Sequence, residues 1–142
     1  MLFLGTYYHS LDDKNRLILP AKMAAKFDGV LVVSKGFEGC LEVRTKFDFE
    51  YRSNQLLALS ENKKDSRIIS RQFFANSSEL EIDKANRILI PNHLKQLASL
   101  NKDVILIGLG NKIEIWDTSK YSEFKNQTDG QFEAVAERLE NE

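Results

Sequence analysis

The stretch LDDKNRLILP, from Leu11 to Pro20, recurs 71 residues later in the chain as IDKANRILIP, from Ile82 to Pro91. Four of the ten positions are identical, and four more exchange leucine for isoleucine. The two positions that differ in kind are Asp13/Lys84 and Lys14/Ala85. A repeat this long, present only twice, predicts a duplicated half-domain, whereas a solenoid needs shorter and more numerous repeats.

The likeness between the two copies continues beyond the prolines. A short helical pattern begins at each proline, which is expected at the first helical position because its fixed φ suits the start of a helix. Next come an apolar run at 30–33 or 104–107, a glycine-containing turn, and an alternating strand at 40–44 or 112–116. Each copy offers only about four short strands, too few to bury a core alone. We therefore expect one β-rich α+β domain with a pseudo-two-fold axis, either a barrel or a sandwich.

The predicted organisation is a single structural domain over residues 1–142. It divides into a first repeat at 5–47, a helical linker at 48–75, a second repeat at 76–119 and C-terminal helices at 120–142. The linker and the C-terminal segment carry apolar residues at helical spacing, which is typical of helices that pack on a core or on another subunit.

Charge and composition limit the function classes. The net charge is −1, so the overall charge does not indicate a nucleic-acid partner. Residues 51–75 carry five basic and two acidic residues, and much of the acidic excess lies in 129–142. No apolar run approaches the roughly 20 residues of a membrane helix. The N-terminus lacks the basic region of a signal peptide, and a single cysteine fits a reducing compartment. We expect a cytosolic protein.

The sequence carries no pattern of an enzyme or of a metal site. Nucleotide-binding loops and the paired His or Cys spacings of zinc sites are absent from the sequence, so we expect no cofactor, no metal and no catalysis. His9 and His93 are interpreted as surface histidines, and Cys40 as a packing residue. Glu42 and Glu114 alternate with apolar neighbours and are expected on a solvated face.

The repeated loop itself leaves two interpretations open. Asp12 can accept bonds from the following backbone N–H groups, and Asn15 tolerates the left-handed conformation of a tight turn. Arg16 then starts a strand. Asp and Arg around a turn often form only a partly exposed ion pair. Alternatively, the carboxylate orients a guanidinium that bonds guanine or phosphate. The residues alone do not decide between these interpretations.

A family resemblance favours the second interpretation, in which the arginine contacts DNA. The pattern L-D-x-K-x-R-L-x-x-P, its twin I-D-x-A-x-R-I-L-I-P, the length near 140, the opening G-T-Y-Y and the strands E-V-R and E-I-W resemble the MraZ family of bacterial transcriptional regulators. Each half of that family is related to the swapped-hairpin AbrB/SpoVT module. The resemblance implies a double-split β-barrel decorated with helices, assembly into rings, and repression through repeated sites in the promoter of a cell-division and cell-wall gene cluster.

The resemblance also assigns roles to residues. The family motif D-x-x-x-R maps onto Asp12 and Arg16 in the first copy and onto Asp83 and Arg87 in the second, with both aspartates orienting their loops. The candidate DNA-binding residues are Lys14, Asn15, Arg16, Lys84, Asn86 and Arg87. The family usually has glycine where Asn15 and Asn86 stand. Because Ala85 replaces the motif's lysine in the second copy, the first loop is expected to carry more of the contact.

The implied partners are promoter DNA with repeated sites and further copies of the chain, with no membrane and no small-molecule substrate. The implied location is the cytoplasm, in association with the nucleoid. The alternative function is a non-enzymatic protein-interaction or antitoxin-like module, since the same fold serves both roles.

Overall fold

The structure is a computed structural model that describes residues 2–142. The first copy forms β1 (Phe3–Ser10), β2 (Arg16–Ile18), α1 (Ala21–Ala24), β3 (Val30–Lys35), β4 (Leu41–Arg44), α2 (Lys46–Leu57) and α3 (Lys64–Ala75). The second copy forms β5 (Ser78–Glu81), β6 (Arg87–Leu89), α4 (Asn92–Leu97), β7 (Asp103–Gly110), β8 (Ile113–Asp117), α5 (Thr118–Thr128) and α6 (Phe132–Glu140). The predicted α+β class is confirmed. None of the helices within 2–142 has the length and the hydrophobicity needed to cross a membrane.

The two copies exchange their first strands. Six strands form one antiparallel sheet in the order β1-β7-β8-β4-β3-β5, so β1 pairs with β7 of the second copy and β5 pairs with β3 of the first. The equivalent strands of the two copies are β1 and β5, β3 and β7, and β4 and β8. When each strand is exchanged for its equivalent and the sheet is read from the opposite edge, the strand order is the same. Equivalent residues also face each other at the centre of the sheet, where Glu42 lies opposite Glu114. The strand pairing therefore follows the predicted pseudo-two-fold relationship.

Strands β2 and β6 form a separate two-stranded antiparallel ribbon. Leu17 lies opposite the equivalent Ile88, so the pseudo-two-fold axis passes between them. Both side chains are buried, and they join a core that draws on both copies. Each fully buried leucine or isoleucine contributes about 1.5–3 kcal/mol relative to exposure. The ribbon is thereby fixed to the domain through its inner face.

The short helices α1 and α4 begin immediately after Pro20 and Pro91. Each proline has extended backbone angles and lies one position before the helix, although the sequence pattern placed it at the first helical position. Met23 and Leu94, which occupy equivalent positions, are both buried in the core. The two helices therefore contribute equivalent side chains to the shared core.

The longer helices are fixed by caps and aromatic contacts. The Thr45 side chain accepts a bond from the backbone N–H of Asp48 at the start of α2, which satisfies one of the unpaired amides of the helix. Helices α2 and α3 meet through the stacked rings of Phe49 and Phe73, 5.3 Å apart. In the second copy, Trp116 stacks on Phe124 of α5 at 5.2 Å. Trp116 is buried and packs β8 against α5.

The prediction for Glu42 is wrong. Its residue exposure is only 3%, and its carboxylate bonds Arg44 Nη1 at 2.8 Å and Lys112 Nζ at 3.0 Å. Strand alternation does place this side chain on the face of the sheet opposite the core, but α2 and α3 cover that face. Glu114 is only half-buried and accepts a bond from Trp116 Nε1 at 2.8 Å. The buried acid is thus paired instead of solvated.

Candidate nucleic-acid interface

Loop 1, which we define as Asp12–Arg16, is organised by one carboxylate. Asp12 Oδ1 accepts from the backbone N–H groups of Lys14 at 2.9 Å and Arg16 at 2.8 Å. The backbone N–H of Asn15 donates to the Asp12 carbonyl at 3.0 Å and closes the turn. This geometry confirms the turn that the sequence predicts. The aspartate is required because only a short acceptor side chain reaches these amides.

Loop 2, which we define as Asp83–Arg87, repeats this network. Asp83 Oδ1 accepts from the backbone N–H groups of Ala85 and Arg87, both at 2.9 Å. Asn15 and Asn86 have φ of 62° and 61°, the left-handed region expected for these positions. Asparagine is among the few residues other than glycine that adopt it readily. Both loops therefore present the next residue, an arginine, in the same way.

Each arginine is held by its own loop at one nitrogen. Arg16 Nε donates to Asp12 Oδ2 at 2.7 Å, and Arg87 Nε donates to Asp83 Oδ2 at 2.8 Å. Among residues 2–142, no acceptor bonds the terminal Nη groups of either arginine. Guanidinium donors lie in one plane, so a group fixed at Nε keeps a rigid pair of donors for carboxylate, phosphate or guanine. The ion pair orients the arginine and leaves its outer edge free.

Both loop carboxylates are stabilised in the charged form. The pKa of Asp12 is lowered mainly by the bond from the Arg16 backbone N–H, with further lowering by the Arg16 side chain and the Lys14 backbone. The pKa of Asp83 is lowered in the same way, first by the backbone N–H of Arg87. Burial acts against both shifts and is outweighed. Both carboxylates are therefore in the acceptor form that these hydrogen bonds need at neutral pH.

The ribbon brings the two arginines to one face. In its antiparallel register, Arg16 lies opposite Leu89, and Arg87 lies opposite Ile18. All four side chains point away from the buried Leu17 and Ile88, because side chains alternate along a strand. The arginines are thus diagonal neighbours across the ribbon, with Cα atoms about 7–8 Å apart. Two free guanidinium edges share one outward surface.

The two loops differ in their side-chain supports. Lys95 Nζ donates to Asn15 Oδ1 at 2.9 Å, and Asn15 Nδ2 donates to Asn92 Oδ1 at 3.4 Å. Both partners belong to α4, so the second copy supports the loop of the first. Across the described chain, the Asn86 side chain has no hydrogen bond of this kind, because Ala21 and Ala24 occupy the equivalent positions in α1. Sequence reasoning missed Lys95, which lies 80 residues from Asn15.

The remaining candidate residues flank these arginines. Lys14 is the third residue of loop 1 and Lys84 is the second residue of loop 2, and both are exposed. Loop 1 combines Asp13 with Lys14, and loop 2 combines Lys84 with Ala85. Each loop therefore adds one exposed ammonium group near a guanidinium that is fixed at Nε.

Other chemically active side chains lie elsewhere. His9 is half-buried in β1, and His93 is exposed on α4. Cys40 is buried, and burial, followed by the charges of Glu114 and Glu42, raises the pKa of its thiol well above the ordinary range. The thiol therefore stays protonated and packs as a small apolar group.

The comparisons with known proteins agree with this duplicated architecture. The family model described as "MraZ protein, putative antitoxin-like" matches the chain twice, at residues 2–72 and 73–141. A protein of Mesoplasma florum named Transcriptional regulator MraZ is 48% identical over 140 residues, covering 98% of this chain and 96% of the relative. Proteins of the same name from Mycoplasmoides gallisepticum and Heliobacterium modesticaldum are 42% and 38% identical, over 99% and 97% of this chain and 99% and 96% of their own lengths. The chain belongs to the MraZ family.

Proposed function

We propose that this protein is a sequence-specific DNA-binding transcriptional regulator that acts as a repressor. The contact set comprises Lys14, Asn15, Arg16, Lys84, Asn86 and Arg87, with Asp12 and Asp83 orienting the loops. The observation that carries the proposal is the pair of guanidinium groups on one face, each fixed at Nε and free at both Nη groups. Guanine O6 and N7 accept two bonds from such a group in the major groove.

The names of the relatives support this function. The three relatives described above are each called a transcriptional regulator and match this chain from end to end. From the family resemblance given by the repeated motif, we further propose that the target is the promoter of a division and cell-wall gene cluster, with repeated sites, and that the protein acts in the cytoplasm at the nucleoid. The double-split barrel, in which the β2–β6 ribbon closes the six-stranded sheet, is the arrangement that we propose for presenting the ribbon to DNA. Its two AbrB-like units are residues 5–47 and 76–119.

Self-association into a ring is the second part of the proposal. One subunit offers two arginines, and subunits side by side raise the effective concentration of each further contact to about the millimolar range. Helix α6 leaves Phe132 and Leu139 exposed, seven residues apart on one side. A contact between unlike surfaces generates a ring if its rotation closes. We propose α6 as one of these surfaces.

The matching surface that we propose is formed by α2 and α3. These helices expose Phe47, Tyr51 and Ile68. The charges are complementary, because α6 carries Glu133, Glu137 and Glu140, whereas the α3 region carries Lys63, Lys64, Arg67 and Arg71. Light scattering on size-exclusion chromatography tests this contact. Changing Arg67 and Arg71 to Glu is expected to lower the oligomer mass, and adding Glu133→Lys and Glu137→Lys is expected to restore it. Unchanged mass in the first variant contradicts the contact.

The DNA-binding proposal is tested by a gel shift with the DNA upstream of this protein's own gene. Arg16→Ala is expected to abolish most binding at physiological salt, while the circular dichroism spectrum and the oligomer mass stay unchanged. The matched control is Lys125→Ala, which removes a cation from another exposed i,i+4 ion pair, with Asp129 at 2.6 Å. Wild-type affinity should fall steeply with salt, because neutralised phosphates release counterions.

Two results contradict the proposal. The first is an Arg16→Ala protein that binds the DNA as tightly as the wild type. The second is weak, sequence-independent binding by the wild type, together with one protein that co-purifies in a fixed ratio. That second result supports the antitoxin-like alternative, to which the description of the family model also refers.

A further inference from the structure

The outward face of the β2–β6 ribbon contains two aliphatic side chains beside the two arginines. Ile18 is 51% exposed and Leu89 is 58% exposed, whereas Leu17 and Ile88 on the inner face are buried. Ile18 lies opposite Arg87, and Leu89 lies opposite Arg16. The face is therefore a four-residue pattern in which each guanidinium has one aliphatic neighbour across the ribbon.

This surface has the dimensions and the chemistry of a major-groove reader. A two-stranded β-ribbon fits the major groove of B-DNA. The apolar group that the bases present there is the C5-methyl of thymine, and aliphatic side chains contact it. Bases next to each other are separated by about 3.4 Å along a strand. Cβ atoms directly opposite each other on a ribbon are separated by about 4.5–5.5 Å. An arginine and its aliphatic neighbour can therefore reach adjacent base pairs.

We propose that Ile18 and Leu89 contact thymine C5-methyl groups in the major groove, next to the guanines that Arg87 and Arg16 bind. This proposal rests on the DNA-binding function above and adds a second kind of base reading to it. The free Nη donors of the arginines select guanine, and the aliphatic groups select thymine. Because the pattern is repeated about the pseudo-two-fold axis, the site contains one guanine-thymine step for each half of the ribbon.

The test removes the methyl groups without changing base pairing. The fragment upstream of the protein's own gene is prepared once with thymine and once with deoxyuridine at every thymine position. Wild-type protein is expected to bind the deoxyuridine fragment about fourfold more weakly for each lost methyl contact, which is the ratio that corresponds to burying one methyl-sized group. Affinities are measured by fluorescence anisotropy at fixed salt.

Variants identify which side chains sense the methyl group. Ile18→Ala and Leu89→Ala are each expected to reduce the ratio between the two fragments, and the double variant to bring it close to one. Leu109→Ala removes a comparably exposed aliphatic side chain from β7, outside the ribbon, and should keep the wild-type ratio. Because Ile18 and Leu89 are both exposed, their truncation leaves the core intact.

Two outcomes overturn the inference. One is equal wild-type affinity for both fragments. The other is a double variant that keeps the full ratio, which assigns the effect to DNA shape instead of these side chains. Failure of the underlying function gives a different result, since the wild type then binds neither fragment with sequence preference. A wild type that prefers the promoter fragment, loses that preference in Arg16→Ala and ignores the methyl groups disproves only the thymine contact.

Discussion

Lys95 in α4 donates a hydrogen bond to Asn15 in loop 1, with 2.9 Å between Nζ and Oδ1. The residue at the equivalent position near loop 2 is Ala24, which has no polar side chain. Two loops with the same internal geometry are therefore supported unequally. We therefore expect the two loops to contribute unequally to DNA binding.

Replacing Lys95 with alanine is expected to weaken binding to promoter DNA about threefold to tenfold. The bond to Asn15 contributes about 1 kcal/mol, and its loss frees the tip of loop 1. Gel-shift titration measures the change in DNA affinity. Hydrogen exchange at the backbone N–H of Asn15 measures how much the tip of loop 1 loosens. Lys22→Ala, which removes an exposed lysine from α1, is the control. Faster exchange at Asn86 instead of Asn15 contradicts the assignment.

The two left-handed asparagines are expected to respond differently to truncation. Asn86→Ala should reduce the free energy of unfolding by about 1 kcal/mol, because alanine adopts this conformation at a cost. Asn15→Ala should reduce it by about 1 kcal/mol more, since Lys95 and Asn92 also lose a partner. Urea denaturation gives both values. Equal losses in the two variants show that the bonds to α4 contribute nothing.

The loop carboxylates predict a specific pH dependence. The folded pKa values of Asp12 and Asp83 lie below the ordinary value of 3.8, so their stabilising effect is complete above that pH and is lost as the pH falls through the folded pKa values. Carboxyl carbon NMR should therefore find both groups titrating below 3.8. In Arg16→Ala the pKa of Asp12 should rise only in part, because the backbone N–H of residue 16 still donates, and that of Asp83 should not change. A complete return to 3.8 shows that the turn itself has opened.

The buried acid Glu42 is expected to be more important for folding than either loop. Glu42→Ala leaves Arg44 buried without its carboxylate partner, which typically costs about 3–5 kcal/mol. Thermal or urea denaturation should find a loss of this size, whereas Glu79→Ala, which breaks an exposed ion pair with Lys46, should cost less than about 1 kcal/mol. Similar small losses in both variants indicate that Arg44 finds another acceptor.

The local features of the loops could be predicted from sequence because each follows from one residue's own chemistry. Asp12 accepts amides two and four positions later, and Asn15 adopts a positive φ. Strands β3 and β7 followed similarly from runs of β-branched residues. These properties are local, so two copies of the pattern gave the same result twice.

The features that sequence missed depend on distant segments. The exchange of β1 and β5 is a choice of partner that hydrophobic pattern does not specify. Glu42 follows strand alternation, but whether its face is solvated depends on where α2 and α3 pack. By contrast, the exposure of Ile18 and Leu89 follows from strand alternation, because each comes directly after a buried Leu17 or Ile88.

The strand exchange has a consequence for how DNA is read. Two identical half-chains paired in this way would form a symmetric reader, and symmetric readers favour palindromic sites. Here both halves belong to one polypeptide, so each half accepts substitutions independently of the other. Lys95 and its equivalent in the first copy, Ala24, illustrate this. We therefore expect the ribbon to have a direction along the DNA. Copies of such a subunit placed in a row would all point the same way, and we expect this arrangement to suit sites arranged as direct repeats.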